Sequence, residues 1–396
     1  MKKIAIVGAG QSGLQLALGL LHYGYPVTLL TDKDAETVLK GRVTSSQIMF
    51  SHALNTERRL NINFWEDAVP PAIISAFSIF NPGDPDHPIK FQADLNDVAY
   101  SVDQRLKTAT LMNHFIRKGG NLVIKTVTMA ALNQLAEEND LVIVAAGRGM
   151  LSTLFPVNRK ETVYDQPQRH LALTYVKPNN PISNKIRLSI VPDVGGLATF
   201  PGLTADGPCE IMTFEAIPGG GMDRFEEGFS AIEHLQTSLG ILKKYLPEEY
   251  AYFSDAALMD KGSYFSGALT PTVRHPIFTL PSGKPIFGMG DAIVVNDPIT
   301  GQGANSAAKC ADLYLNHIIG HQGEFDRQWM TNTFNEFWQY AQHVVKWTNS
   351  FLNPPTQHML SLFIEAESDP DLASQIANGY DDPTRFNPWW YEPLTV

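Results

Sequence analysis

The fold is decided by residues 4–32, which read IAIVGAGQSGLQLALGLLHYGYPVTLLTD. The run Ile4–Val7 is short and wholly apolar, which is typical of a strand that is buried on both faces. Three glycines follow it at once, and apolar residues then recur at helical spacing over residues 14–21. A second apolar run over residues 27–30 ends at Thr31 and Asp32. The stretch therefore predicts a β-turn-α-β unit of the Rossmann type.

The glycine pattern G-x-G-x-x-G predicts that this unit binds a dinucleotide. Gly8 permits the tight turn, Gly10 lets the backbone approach a pyrophosphate, and Gly13 lets helix and strand pack closely. The helix N-terminus adds free N–H groups and a positive dipole end, and an acidic side chain about 20 residues on can bind ribose hydroxyls. The alternative is a structural glycine turn that binds no ligand. The cofactor residues predicted here are Gly8, Gly10, Gln11, Ser12, Gly13, Thr31 and Asp32.

A second glycine-rich stretch lies close to the other end of the chain. It contains Gly290-Asp291, Asp297-Pro298 and the run GQGAN at 301–305. An aspartate after a strand can hold a ribityl hydroxyl, and a glycine-rich helix start can place N–H groups near a flavin ring or a pyrophosphate. Taken alone, this stretch could be an ordinary capped loop. Together with the first pattern it is the two-part signature of FAD-dependent hydroxylase-fold proteins. The residues assigned to FAD here are Gly290, Asp291, Pro298, Gly301, Gly303, Ala304 and Asn305.

The composition and charge of the chain exclude several classes of partner and of catalytic site. The chain has 396 residues and a formal net charge of −11, without a block of basic residues. This charge argues against nucleic acid and anionic membranes as the main partners. The two cysteines form no metal-ligand or disulfide pattern, no serine lies in a hydrolase elbow, and no 18-residue apolar stretch exists. We expect a cytoplasmic protein without a metal site.

The predicted fold class is α/β: a Rossmann-like FAD-binding hydroxylase fold with a β-sheet substrate domain and C-terminal helices. Residues 165–265 alternate between apolar and polar residues and are broken by Gly and Pro, which favours antiparallel strands. The predicted boundaries are 1–160 plus 265–320 for a discontinuous FAD-binding domain, 161–264 for the substrate domain and 321–396 for a C-terminal helical segment. Within that segment, helical spacing over residues 333–352 predicts a long helix that packs across the domains.

Over most of its length the chain resembles the large, epoxidising subunit of two-component styrene/indole monooxygenases. The resemblance is carried by residues 3–13, 31–32, 41–42, 91–106 and 288–305. It implies that a separate NADH-dependent flavin reductase supplies reduced FAD. With O₂ this flavin forms a C4a-(hydro)peroxyflavin, which epoxidises an aromatic alkene such as indole, giving indoxyl and then indigo. The flavin would carry the chemistry, without a catalytic side chain. The resemblance also implies cofactor contacts by Arg42, Arg105, Ala146 and Gly147.

Within this family, the residues after Arg42 resemble the indole-active branch. The alternative is that Ser45, Gln47 and Met49 form one face of a strand. The predicted substrate pocket comprises Ser45, Gln47, Met49, Ala99, Pro298, Ile299 and Thr300. An apparent insertion at residues 70–85 prevents any assignment there. Other interpretations remain open: a styrene or aryl-sulfide monooxygenase of the same family, a self-sufficient NAD(P)H-dependent aromatic hydroxylase, or a flavin-binding sensor. The sequence also leaves a homodimer open.

Overall fold

The chain folds into two β-sheets with helices packed around them. The structure, a computed structural model, describes residues 2–81, 84–147 and 149–391. Strands are numbered along the chain as β1 (Ile4–Val7), β2 (Val27–Thr31), β3 (Ile48–Met49), β4 (Ala72–Asn81), β5 (Asp84–Val102), β6 (Asn121–Ile124), β7 (Leu141–Val144), β8 (His170–Lys177), β9 (Lys185–Val191), β10 (Gly195–Thr204), β11 (Gly207–Ala216), β12 (Ala257–Leu258), β13 (Tyr264–Ala268), β14 (Thr272–Val273), β15 (Ile277–Thr279), β16 (Pro285–Gly288) and β17 (Val294–Val295).

The helices are numbered in the same way. They are α1 (Gln11–His22), α2 (Ala35–Leu39), α3 (Ser51–Arg59), α4 (Gln104–Arg117), α5 (Met129–Glu138), α6 (Ala231–Tyr245), α7 (Pro247–Phe253), α8 (Gly303–Ile319), α9 (Arg327–Ser350), α10 (Gln357–Ala366) and α11 (Pro370–Gly379). Among the described residues, no helix combines the length and the apolar character needed to span a membrane.

The first sheet confirms the Rossmann-like fold predicted from residues 4–32. Its six strands have the order β15-β16-β7-β1-β2-β6, and all neighbours are parallel except β15 and β16. The central strands β1 and β7 are buried along their whole length, as expected for strands that are covered by helices on both faces. Apolar residues of α1, α4, α5 and α8 complete this core. The parallel strands bring their carboxyl ends to one edge, where ligands bind in open α/β sheets.

The second sheet is larger and mostly antiparallel. Its order is β12-β8-β11-β10-β9-β4-β5-β3, with β13 pairing to β8 and β4 running parallel to β9. One face carries Tyr175 and Ile211 and packs against the C-terminal helices. The other face carries Met212 and Phe214 and is covered by α6 and α7. Residues alternate between these faces, as the pleat requires.

This second sheet extends beyond the predicted boundaries 161–264. Strands β3, β4 and β5 belong to it, although the sequence analysis had placed residues 48–102 with the FAD-binding domain. The reason is that β4 pairs with β9, more than 100 residues later in the chain, from Ile74↔Lys185 to Ile79↔Ile190. Such a pairing is not visible in local periodicity. The hairpin β4–β5 therefore places residues from the N-terminal part of the chain in the same sheet as β8 to β11.

Helix α9 lies across both halves. It begins at Arg327, six residues before the predicted start, because Asp326 caps it by accepting a hydrogen bond from the backbone N–H of Trp329 at 2.8 Å. Phe337 and Ala341 lie in the core of the first sheet, whereas Trp347 lies in the core of the second. The C-terminal aromatic residue Trp390 is fully buried in the same core. The C-terminal segment thus fixes one half of the molecule to the other.

Candidate active site

The N-terminal glycine turn leaves space for a phosphate at one position only. A Cβ on Gly8, whose φ is +116°, would lie 2.8 Å from the carbonyl carbon of Ala145, and a Cβ on Gly13 would lie 1.9 Å from the Gly8 oxygen. A Cβ on Gly10 would meet no described atom within 4 Å. Gly10 is also the N-cap of α1 and provides no side-chain cap. The free N–H groups of this helix end therefore face open space, which fits the pyrophosphate of FAD.

Three predicted cofactor segments meet at the carboxyl edge of the first sheet. A Cβ on Gly147 would lie 2.5 Å from the Cβ of Asp291, and a Cβ on Gly290, whose φ is +60°, would lie 2.7 Å from the Ser12 hydroxyl oxygen. Ala146 precedes Gly147, two residues after the end of β7. The structure therefore brings together residues that lie up to about 280 positions apart in the sequence, and small side chains are required where they meet.

Thr31 and Asp32 lie at the same edge of this sheet, at the end of β2. Thr31 is the last residue of the strand, and the side chain of Asp32 is exposed. This position suits a carboxylate that accepts hydrogen bonds from the hydroxyls of a ribose.

The loop from Asp297 to Gly303 leads into α8. Asp297 accepts a hydrogen bond from the backbone N–H of Ile299 at 3.1 Å, and Gly301 adopts φ +64° to end the short turn Pro298–Thr300. Pro298, Ile299 and Ala304 are partly exposed, and a Cβ on Gly303 would meet no described atom within 4 Å. Thr300 differs from the prediction, because it is 1% exposed and its hydroxyl is hydrogen-bonded to that of Thr348 at 2.7 Å. Its side chain fixes the loop to α9.

Asn305 also differs from the prediction of a cofactor contact. Its Oδ1 accepts a hydrogen bond from the backbone N–H of Phe50 at 2.9 Å. Its Nδ2 donates to the carbonyl oxygens of Ile48 and Gly301, both at 2.9 Å. The amide is therefore occupied by protein groups, and it holds the segment 48–50 against the start of α8.

The segment from Ser45 to Met49 does not form one face of a strand. Strand β3 contains only residues 48–49, and Gln47 has a φ of +47°, which interrupts any alternation. The carbonyl of Ser45 accepts a hydrogen bond from the Tyr175 hydroxyl at 2.7 Å. Gln47 is 8% exposed, and its Oε1 finds no partner among the described residues. A left-handed non-glycine residue with an unpaired buried oxygen is typical of a functional position.

Met49 and Ala99 are more deeply placed than the prediction of pocket lining requires. Met49 is 2% exposed, and its sulfur lies 3.0 Å from the ammonium of Lys107 in the first core. Ala99 is fully buried in the core of the second sheet. Among the described residues, Gln47 therefore contributes a buried hydrogen-bonding atom without a partner to this set.

The two predicted arginines have different surroundings. All five N–H groups of Arg105 are donated to protein oxygens, on Asp103, on Asp260 and on the carbonyl of Gly41. These bonds raise its pKa against the effect of burial, and they leave no donor for a phosphate. Arg105 therefore differs from the prediction and positions Gly41. The exposed Arg42 next to it stacks on the ring of Tyr264 at 4.2 Å and remains accessible to a cofactor.

Two buried polar clusters were not found from the sequence. In the first, the Lys107 ammonium lies 2.5 Å from Oε1 of Glu57, which also accepts a hydrogen bond from the Gln11 amide at 2.6 Å. Glu57 is fully buried and Lys107 is 3% exposed. This ion pair lies behind the first residue of α1. Residues 50 positions apart on two helices give no local signal of such a pairing.

The second cluster consists of Asp297, which begins the loop 297–303, together with Glu215 and Arg169. Burial raises the pKa of Asp297 to about 6. Burial, together with the charge of Asp297, holds the pKa of Glu215 well above its usual range. Burial lowers the pKa of Arg169. Asp297 was recognised as part of the glycine-rich stretch, but nothing in the sequence showed that it interacts electrostatically with two other ionisable groups. Among the described residues, no group of three His, Cys, Asp or Glu side chains could hold a metal ion.

Comparison with known proteins agrees with this geometry. Residues 147–251 match the family model described as "Styrene monooxygenase A putative substrate binding domain". Two proteins named styrene monooxygenase StyA, from Pseudomonas fluorescens and from a Pseudomonas species, are each 26% identical over 399 residues, covering 97% of this chain and 94% of theirs.

Solved structures show the same fold at lower identity. A flavoprotein/dehydrogenase from Cytophaga hutchinsonii has a TM-score of 0.67 at 13% identity and covers 96% of this chain and 92% of its own. The flavin-dependent halogenase CmlS has a TM-score of 0.65 at 16% identity, over 95% of this chain and 70% of its own. The chain is thus similar to styrene monooxygenases over nearly its whole length, and this similarity, together with the fold, indicates a FAD-dependent enzyme that is the oxygenase component of a two-component monooxygenase.

Proposed function

We propose that this chain epoxidises indole, using O₂ and FAD that a separate NADH-dependent flavin reductase has reduced. The observation that carries the choice of substrate is the unpaired Oε1 of the buried Gln47. The relatives that are named styrene monooxygenases support the reaction class and the division into two components, but they do not decide between indole and styrene.

The protein's own residues hold the cofactor and exclude water. We assign the pyrophosphate to the N–H groups after Gly10, sugar hydroxyls to Asp32 and Asp291, and the ring to the loop at Pro298 and Ile299. When bound, the reduced flavin supplies the activated oxygen that the side chains cannot provide. The remaining work is to hold the alkene about 3.5 Å from the reacting atom and to keep the site dry.

Gln47 favours indole for a simple reason. A buried amide oxygen without a hydrogen bond costs about 1–3 kcal/mol, and the left-handed backbone adds about 1–2 kcal/mol. Both costs persist only where the surroundings impose them. The ring N–H of indole can donate to this oxygen, whereas styrene has no such donor. A site built to hydrogen-bond its substrate discriminates against an analogue that lacks the donor.

The test compares Gln47→Leu and Gln47→Ala with the parent protein on both substrates. Chemically reduced FAD is supplied, so that no reductase is needed. We expect kcat/KM for indole to fall about tenfold or more, while kcat/KM for styrene is unchanged or rises. Ile48→Val is the matched control, because it changes a neighbouring buried side chain and removes no hydrogen-bonding atom. An equal loss on both substrates would assign Gln47 a structural role, and unchanged indole turnover would remove it from the site.

A styrene or aryl-sulfide monooxygenase is the second candidate, and styrene is favoured by the names of the relatives. Expression in indole-producing bacteria separates the two, because turnover of indole gives a blue pigment. Styrene oxide formation without turnover of indole would establish the second candidate. Oxidation of NADPH by the purified chain alone would instead show a self-sufficient hydroxylase, and failure to turn over any alkene with reduced FAD would leave a flavin-binding protein.

A further inference from the structure

The segment of residues 41–50 is held by hydrogen bonds from several different elements of the fold. At its start, the carbonyl of Gly41 accepts a hydrogen bond from the Arg105 guanidinium at 3.1 Å. Two residues later, the backbone N–H of Val43 donates to the carbonyl of Gly262 at 2.9 Å. The backbone of this segment is therefore already fixed on the side that precedes the predicted pocket residues.

Two buried hydroxyl groups then hold two consecutive carbonyl groups of the segment. The hydroxyl of Tyr175, in β8, donates to the carbonyl of Ser45 at 2.7 Å. The hydroxyl of Ser101, in β5, donates to the carbonyl of Ser46. Tyr175 and Ser101 are both 0% exposed. Because a peptide group is planar, each of these hydrogen bonds fixes the orientation of one whole peptide plane.

These bonds act directly on the backbone of Gln47. The peptide plane between Ser46 and Gln47 is the one that Ser101 holds, and beyond Gln47 the carbonyl of Ile48 accepts a hydrogen bond from the Asn305 amide at 2.9 Å. Ile48 is also the partner of Ser101 in the pairing of β3 with β5. The chain must turn between these two fixed points, and Gln47 makes the turn with its left-handed φ of +47°. A residue other than glycine keeps this conformation only where its surroundings impose it.

The imposed backbone conformation determines where the Gln47 side chain lies. This side chain is buried, and its Oε1 has no partner among the described residues. A return of φ to the common negative range would turn the Cα–Cβ bond in another direction and carry the amide out of its place. The position of the unpaired oxygen therefore depends on the hydrogen bonds that hold the neighbouring carbonyl groups.

We propose that Tyr175 and Ser101 are positioning residues for the choice of substrate: by holding two consecutive carbonyl groups, their hydroxyls keep Gln47 left-handed and present its amide oxygen to the ring N–H of indole. The inference rests on the proposed hydrogen bond between Gln47 and indole. Neither Tyr175 nor Ser101 is itself assigned a contact with the substrate or with FAD. A side chain in the core of the larger sheet thereby influences which substrate the flavin site prefers.

The first test needs neither flavin nor substrate. Hydrogen exchange of the ligand-free protein, followed by mass spectrometry of peptides that cover residues 41–50, measures how firmly this segment is held. Tyr175→Phe and Ser101→Ala each remove one hydroxyl and little else, and we expect exchange in these peptides to become several-fold faster in both variants. Tyr252→Phe is the control, because it removes a hydroxyl that donates to a carbonyl outside this segment, that of Pro181 at 2.7 Å. Exchange at the parental rate in both hydroxyl variants would overturn the proposal.

The second test compares kcat/KM for indole with kcat/KM for styrene, with chemically reduced FAD supplied. We expect the indole-to-styrene ratio to fall by about two- to tenfold in Tyr175→Phe and in Ser101→Ala, the effect of one net hydrogen bond, and to stay parental in Tyr252→Phe. In a Gln47→Leu protein, Tyr175→Phe should not lower the ratio further, because the amide oxygen is already gone. Equal losses on both substrates, or an additive fall in the double variant, would overturn the proposal, since the hydroxyl would then act independently of Gln47.

The two tests separate failure of this inference from failure of the proposed function. If Gln47→Leu leaves the ratio unchanged, the proposed hydrogen bond to indole is wrong and the role in substrate choice is refuted with it, whatever the exchange of residues 41–50 shows. If Gln47→Leu lowers the ratio and the two hydroxyl variants do not, indole remains the substrate and the assignment to Tyr175 and Ser101 is wrong.

Discussion

Replacing Gly10 by alanine should separate cofactor binding from folding, because the structure leaves room for a methyl group there and at no other glycine of the turn. A Cβ on Gly10 meets no described atom within 4 Å, and φ at this residue is −83°. We expect the free energy of unfolding of the ligand-free protein to change by about 1 kcal/mol or less. The same methyl group occupies the space that a phosphate must enter. Loss of one charge-assisted hydrogen bond costs about 1.5–3 kcal/mol, which weakens FAD binding by about 10- to 150-fold.

Gly13→Ala is the matched variant. Its Cβ would lie 1.9 Å from the Gly8 carbonyl oxygen, so that helix and strand must separate by more than an ångström. We expect about 3 kcal/mol or more of destabilisation, at the upper end of the cost of overpacking. Urea unfolding of the ligand-free proteins and fluorescence titration with FAD measure the two effects separately. Unchanged FAD affinity in Gly10→Ala would refute the placement of the phosphates, and a Gly13→Ala protein of parental stability would refute the close packing of this turn.

Three further outcomes follow from the buried polar groups. Lys107→Met leaves Glu57 without its cation and should lower the free energy of unfolding in urea by about 3–5 kcal/mol. Most of this loss should be recovered in the double variant with Glu57→Gln. Additive losses from the two substitutions would contradict the ion pair. Asn305→Ala removes the hydrogen bonds to the backbone groups of Ile48 and Phe50. We therefore expect the Phe50 amide to exchange its hydrogen much faster than in the parent protein. Equal exchange rates would show that the Asn305 side chain is not needed to hold this segment. Burial lowers the pKa of His234 to about 4, below its value in the unfolded chain, so the free energy of unfolding should decrease as the pH falls from about 6.5 to 4. The stability of His234→Phe should depend less steeply on pH. An equal slope in both proteins would contradict this account.

The parts of the fold that could be predicted are those with local signals. The Rossmann unit is encoded in 29 consecutive residues, where strand, glycine turn and helix each leave their own pattern. The pairing of β4 with β9 was missed because strand partners more than 100 residues apart leave no periodic trace. The predicted domain boundaries therefore failed to anticipate that residues 72–102 join the larger sheet.

At the site, residue type predicted the location but not the use of each side chain. Arg105 and Asn305 stand in segments that resemble cofactor-binding ones, yet every donor of Arg105 and the whole amide of Asn305 are bound within the protein. Whether a polar group is free depends on neighbours that only the folded chain supplies. The same holds for Asp297, whose interaction with Glu215 links residues 82 positions apart. Gln47 remains a predicted pocket residue, and the structure adds that its buried Oε1 has no partner among the described residues.

The helix that lies across both cores has a mechanical consequence. With Phe337 in one core and Trp347 in the other, separation of the two halves would pull a fully buried indole out of its packing against Tyr380 and Phe386. Exposing a side chain of that size costs several kcal/mol. We therefore expect flavin to be exchanged through local movement of short loops rather than through separation of the two halves, because α9 holds the two cores together.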